Sequence, residues 1–143
     1  MRRALAVLTS VVTATVTFAS PAQAAHDDSF LLCTPYGVYG ACVRFVDYGE
    51  GWPGGGKNDD YVVIHDYARD GYGTKAYAWL NGRYLGWKYN GNGYDGAAVL
   101  WDPFGNVVKG DLIGLKVCLS DGPDDPNIYD HWCVSHSTKS VDG

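Results

Sequence analysis

The chain has 143 residues (15.5 kDa), 46% of them hydrophobic and 19% charged, with a formal net charge of −5. These figures fit one domain with ample core-forming material and exclude disorder throughout. Nineteen Gly, eleven Tyr and five Trp stand against one Met and the single Glu50, so strand and turn formers outnumber helix formers and a helical bundle is disfavoured.

Met1, Arg2 and Arg3 make a short basic start, residues 4–19 carry no charge, and Ser20-Pro21 breaks the apolar run before Ala22-Gln23-Ala24. That order is the order of an export signal, with cleavage expected after Ala24. The apolar run is shorter than the ~20 residues that cross a bilayer, so no anchor is expected. The expected division is a signal peptide at 1–24 and a secreted domain at 25–143. Without Arg2 and Arg3 the mature chain has nine basic and sixteen acidic residues, net −7. Such a surface repels phosphate backbones, which argues against nucleic acid as a partner.

The mature part reads as short β segments separated by Gly, Asn and Asp. Strands are expected at 41–48, 61–67, 74–80, 83–89, 97–102, 112–120 and 129–134, with loose tails at 25–29 and 137–143. Seven short strands at this spacing suggest a sandwich or a small barrel. Cys33, Cys42, Cys118 and Cys133 all lie in the mature chain, and an even count in an exported protein implies two disulfides. Three pairings are possible. Cys33–Cys42 and Cys118–Cys133 are favoured because each closes a short local loop, whereas a zinc site lacks any C-x-x-C spacing.

One hairpin can be built residue by residue. Asn81-Gly82 favours a two-residue type I′ turn. Pairing Leu80 with Arg83 and continuing regularly sets Trp79 opposite Tyr84, Ala78 opposite Leu85, Tyr77 opposite Gly86 and Ala76 opposite Trp87. Alternation then turns Ala76, Ala78, Leu80, Leu85 and Trp87 to the core and Lys75, Tyr77, Trp79, Tyr84 and Lys88 outward. Tyr77 would cover Gly86. The competing expectation is that the outward face is itself buried under a loop.

Residues that could carry chemistry are few. No G-x-S-x-G occurs, and the mature serines have no patterned His and Asp partners. His65 beside Asp66 and Asp70 has the composition of a general base with a carboxylate, but a strand-edge histidine and a turn fit the spacing better. His131 and His136 are five apart, hence on opposite faces of a continuous strand, which disfavours a shared metal. The acidic segment 121–130 holds Asp121, Asp124, Asp125 and Asp130 but misses the calcium-loop pattern, and a solvated turn is expected. With one Glu, no spacing picks out a glycosidase carboxylate pair. No catalytic residue, metal or cofactor is expected.

The stretch VIHDYARDGYG (63–73), followed by GDLIGLKVC (110–118) and Trp132-Cys133, resembles the small exported proteins abundant in Streptomyces-type actinomycetes. In these a strand leads into an A-x-D-G-x-G turn, and a cysteine pair brackets the last hairpin. The resemblance covers most of the mature chain. It implies export and a disulfide-bridged β fold, and it implies no reaction.

The expected fold is therefore all-β: a single antiparallel sandwich of about seven strands, immunoglobulin-like, with both disulfides formed. The expected function is a non-catalytic extracellular binding module, with polysaccharide or an extracellular protein as partner. Tyr77, Trp79, Tyr84 and Trp52 form the candidate ligand surface, since aromatic faces stack on sugar C–H groups. The alternative is an inhibitor of a secreted hydrolase presenting loop 49–60 or 121–130.

Overall fold

The computed structural model describes residues 27–35, 40–47, 60–125 and 132–141. Among these residues eight strands follow in chain order: β1 (Phe30–Cys33), β2 (Ala41–Val46), β3 (Tyr61–Asp66), β4 (Gly73–Leu80), β5 (Arg83–Asn90), β6 (Val99–Trp101), β7 (Leu112–Ser120) and β8 (Cys133–Lys139). They pair antiparallel into two four-stranded sheets, β1-β2-β3-β6 and β5-β4-β7-β8. The sheets stack face to face without closing into a barrel, as an immunoglobulin-like sandwich.

Alternation builds the core. Val43, Phe45, Val62 and Ile64 point inward from the first sheet, and Ala76, Ala78, Ile113, Leu115 and Val117 from the second. Phe104 from the β6–β7 connection meets Phe45 edge-on at 5.4 Å. Two buried polar side chains join the sheets where hydrocarbon alone would leave carbonyls unpaired. Asn90 Nδ2 donates to Ile64 O at 2.8 Å, and Thr74 Oγ1 donates to His65 O at 2.9 Å.

Cys33 pairs with Cys42 across β1 and β2, and Cys118 with Cys133 across β7 and β8. Both favoured bridges are formed. Each ties an edge strand to its inner neighbour.

Three expectations need correction. β1 was not foreseen, because its four residues FLLC give too short a run to show a period. The last strand runs over Cys133–Lys139 rather than 129–134, of which 129–131 lie outside the described residues. Neither tail is loose where it is described. Asp47 N donates to Ser29 Oγ at 2.9 Å, Ser140 is 3% exposed, and Val141 N donates to Asp28 Oδ2 at 2.6 Å.

The β4–β5 hairpin turns at Asn81 and Gly82, both at positive φ (52° and 79°), as a type I′ turn requires. Asn81 also fastens the turn to β7: its Nδ2 donates to Asp111 Oδ1 at 2.7 Å and its Oδ1 accepts from Leu112 N at 2.9 Å. Beyond Trp79↔Tyr84 the regular register fails. A bulge at Leu85–Gly86 brings Ala78 opposite Gly86, Tyr77 opposite Trp87 and Ala76 opposite Lys88. Gly86 takes φ 118°, a conformation that side chains resist. The extra residue turns Trp87 to the outer face and Lys88 to the face of Ala76, the reverse of the expected assignment.

Candidate functional site

The outer face of the second sheet carries the aromatic surface. Cross-strand pairing places Tyr84 beside Trp79 and Trp87 beside Tyr77. Ring centroids lie 5.4 Å apart for Trp79–Tyr84 and 6.3 Å for Tyr77–Trp79, so the three rings form one row. Tyr84 and Trp87 are 50% and 41% exposed, while Tyr77 and Trp79 are half-buried. Trp87 belongs to this cluster, and sequence reasoning missed it for a single reason, the bulge. Glycine inside a strand is the signal that would have found it. Trp52 lies outside the described residues.

Lys75 anchors the row. Its ammonium lies 4.3 Å from the Trp87 ring centroid and 5.9 Å from that of Tyr77, and it donates to Pro123 O at 2.6 Å. At 6% exposure it is buried rather than a solvated rim residue, so its charge is held by two aromatic faces and a carbonyl. Segment 121–125 thus covers one end of the face. Asp121 N donates to Asp125 Oδ2 at 3.0 Å and Ser120 Oγ to Gly122 O at 2.6 Å, which makes this segment a self-bonded turn. Both expectations for the outer face hold in part: Gly73, Lys75, Cys118 and Ser120 are buried, and the half bearing Trp79 and Tyr84 is open.

Beside Trp79 the open half deepens into a groove of about 300 Å³, lined by Gly82, Gly114, Lys116, Ser135 and Ser137. Gly114 keeps its floor low. A Cβ there would stand 3.3 Å from Ser137 Oγ and 3.4 Å from Trp79 Cβ. The groove is mostly apolar, walled by Trp79 and Leu112, with polar atoms of Lys116, Ser135 and Ser137 from β7 and β8, a mixture suited to an amphipathic ligand. Burial first, then the Tyr84 phenol and the Asp125 carboxylate, push the Tyr77 phenol above its ordinary pKa, so it stays a neutral hydrogen-bonding group.

The other candidates separate. β3 buries Val62, Ile64 and Asp66 on one side and half-exposes Tyr61, Val63 and His65 on the other, so His65 and Asp66 diverge. The His65 ring stacks on Tyr67 at 4.8 Å, and burial lowers its pKa. Asp66 Oδ1 accepts from Ala68 N at 3.2 Å and Asp70 Oδ1 from Tyr72 N at 2.9 Å, so both carboxylates cap turns. His136 packs edge-on against Phe30 at 5.1 Å, and His131 lies outside the described residues. Loop 49–60 is described only at Asp60, and of 121–130 only 121–125 is described. Among the described residues no three His, Cys, Asp or Glu side chains gather as a metal site, and no helix is long and apolar enough to cross a membrane. Comparison of the chain with protein-family models, with curated proteins and with solved structures gives no significant match in any of the three.

Proposed function

We propose that the protein is an exported, non-catalytic module that binds polysaccharide on the outer face of the β5-β4-β7-β8 sheet. The observation that carries this reading is the Tyr84–Trp79–Tyr77 row alongside the groove over Gly114. Pyranose rings present C–H faces that stack on indole and phenol, while their hydroxyls need polar partners at the edges. Ser135, Ser137 and Lys116 stand at that edge, on strands that hold them at fixed spacing. The leader-like residues 1–24 support export, and the two bridges suit an oxidising compartment.

A pull-down on chitin, cellulose, starch and peptidoglycan tests the reading. Retention on at least one polymer is expected, and Trp79→Ala should lose it while still unfolding in one cooperative transition. Retention that survives Trp79→Ala, or no retention on any polymer, refutes it. Residual-activity assays with secreted proteases and amylases, run alongside, distinguish the inhibitor alternative, whose candidate loops are 49–60 and 121–130.

A further inference from the structure

A second concavity lies at the opposite end of β4 and β5 from the Asn81-Gly82 turn, where 67–73 and 91–95 approach each other. It is a cleft of about 530 Å³, within the range of small-molecule sites. Asp66 lines it while being only 4% exposed. Its Oδ1 accepts from Ala68 N, but among the described residues its Oδ2 is the buried side-chain polar atom with no hydrogen-bond partner. A buried carboxylate oxygen without a donor is costly, and folded proteins keep such atoms rarely.

The cleft is built to stay open. Gly73 and Gly91 form part of its wall, and a Cβ on either would strike the Tyr89 ring, at 2.3 Å from its Oη and 2.6 Å from Cε1 respectively. Tyr89 is thereby seated over bare backbone. At the rim the Arg69 guanidinium pairs with Asp95 at 3.0 Å and lies 4.6 Å from the Tyr94 ring centroid. The rim therefore already holds one cation between a carboxylate and a tyrosine face. Asp66, Asp70 and Asp95 outnumber Arg69, so the field inside favours a second positive charge. Burial and the nearby Asp70 both raise the Asp66 pKa, as expected of a carboxylate waiting for a counter-charge.

From this geometry we infer that the cleft binds the primary ammonium group of a small amine, with Asp66 Oδ2 as acceptor and Tyr89 and Tyr94 as aromatic walls. An ammonium brings three donors and a charge, and it supplies what Oδ2 lacks. The site is independent of the polysaccharide surface, because neither Trp79 nor the groove over Gly114 contributes to it.

The test is a ¹H–¹⁵N titration of the disulfide-intact protein with glucosamine and n-butylamine, each against its uncharged counterpart, glucose and n-butanol. Saturable shifts of the Ala68, Gly71, Gly73 and Gly91 amides are expected with an amine and not with its counterpart. Response to both amines means that the ammonium alone is read. Response to glucosamine alone marks an amino sugar as the source. Asp66→Asn should weaken binding about tenfold or more, since a charge-assisted hydrogen bond is lost. The inference is overturned if no amine gives saturable shifts, if glucose or n-butanol binds equally well, or if folded Asp66→Asn binds as wild type. Should that variant fail to fold, the amine against counterpart comparison on the wild-type protein still decides.

Discussion

Gly73→Ala is the substitution for which the structure gives the sharpest expectation. The new Cβ would meet Tyr89 Oη at 2.3 Å, Tyr89 Cζ at 2.5 Å and Asn90 O at 2.7 Å. Tyr89 can swing away, but only by leaving its seat over Gly73 and Gly91. Asn90 O cannot, because β4 and β5 are paired there, with Thr74 opposite Asn90. The carbonyl contact alone falls about 0.8 Å short of a favourable separation. Overpacking of this kind costs about 3 kcal/mol. Gly73 does not have a positive φ, so Ala returns roughly 0.7 kcal/mol by restricting the unfolded chain. The net loss is about 2 kcal/mol, which lowers Tm by roughly 8 °C for a domain of this size. Urea and thermal unfolding with the bridges intact measure it, with Gly114→Ala as the comparison. Its contacts of 3.3 and 3.4 Å leave room to adjust, and its cost should stay below about 1 kcal/mol. In a Tyr89→Ala background, Gly73→Ala should cost about 1 kcal/mol less, the coupling expected of touching side chains. Gly73→Ala at or above wild-type stability would refute the seating of Tyr89 on this glycine.

Other outcomes follow from the same contacts. Loop-closure entropy assigns about 3.0 kcal/mol to the Cys118–Cys133 bridge and about 2.6 kcal/mol to Cys33–Cys42; paired Cys→Ala variants should differ in Tm by only a few degrees, the former lower, and a reversed order in calorimetry would contradict it. Burial lowers the His65 pKa, so the unfolded chain takes up that proton first as pH falls below about 6.5; stability then declines, and His65→Gln should flatten the change in urea midpoint between pH 7 and 5. Asp66 works in the opposite sense. Its raised pKa makes stability fall as pH rises above the unfolded value of about 3.9, so Asp66→Asn should exceed wild type at pH 7 and match it by pH 3. Gly114→Val should fill the groove beside Trp79 and abolish polymer retention; retention unchanged in the folded variant would detach binding from the groove.

What was legible in the sequence was local. Asn81-Gly82 specified its turn, cysteine spacing pointed to the bridges, and the apolar runs within 61–67 and 112–120 marked two strands. β8 was misplaced because Ser135, His136, Ser137 and Thr138 carry no hydrophobic period. It is an edge strand whose register is imposed by β7 and by Cys133. The aromatic row was readable as far as Trp79↔Tyr84, and beyond it one bulged residue exchanged the faces of Trp87 and Lys88. The Asp66 cleft was signalled only through Asp66 and Asp70 as neighbours of His65, not as a cleft. Its walls come from 66–73, Tyr89 and 91–95, and only the docking of the two sheets through Asn90 brings these together.

The position of the two bridges has a mechanical consequence. β1 and β8 are the edge strands nearest the chain ends, and they face each other across the sandwich, where Phe30 meets His136. A pull applied to both termini peels each strand only as far as its cysteine, and the load then passes through sulfur into β2 and β7. The residues enclosed by the bridges, with separations of 9 and 15, carry no tension while the bonds last. Reduction would release roughly 80 Å of extra chain. Stretched in oxidising and then in reducing buffer, a single molecule should lengthen by that amount, with the core strands β2 to β7 bearing the force in both.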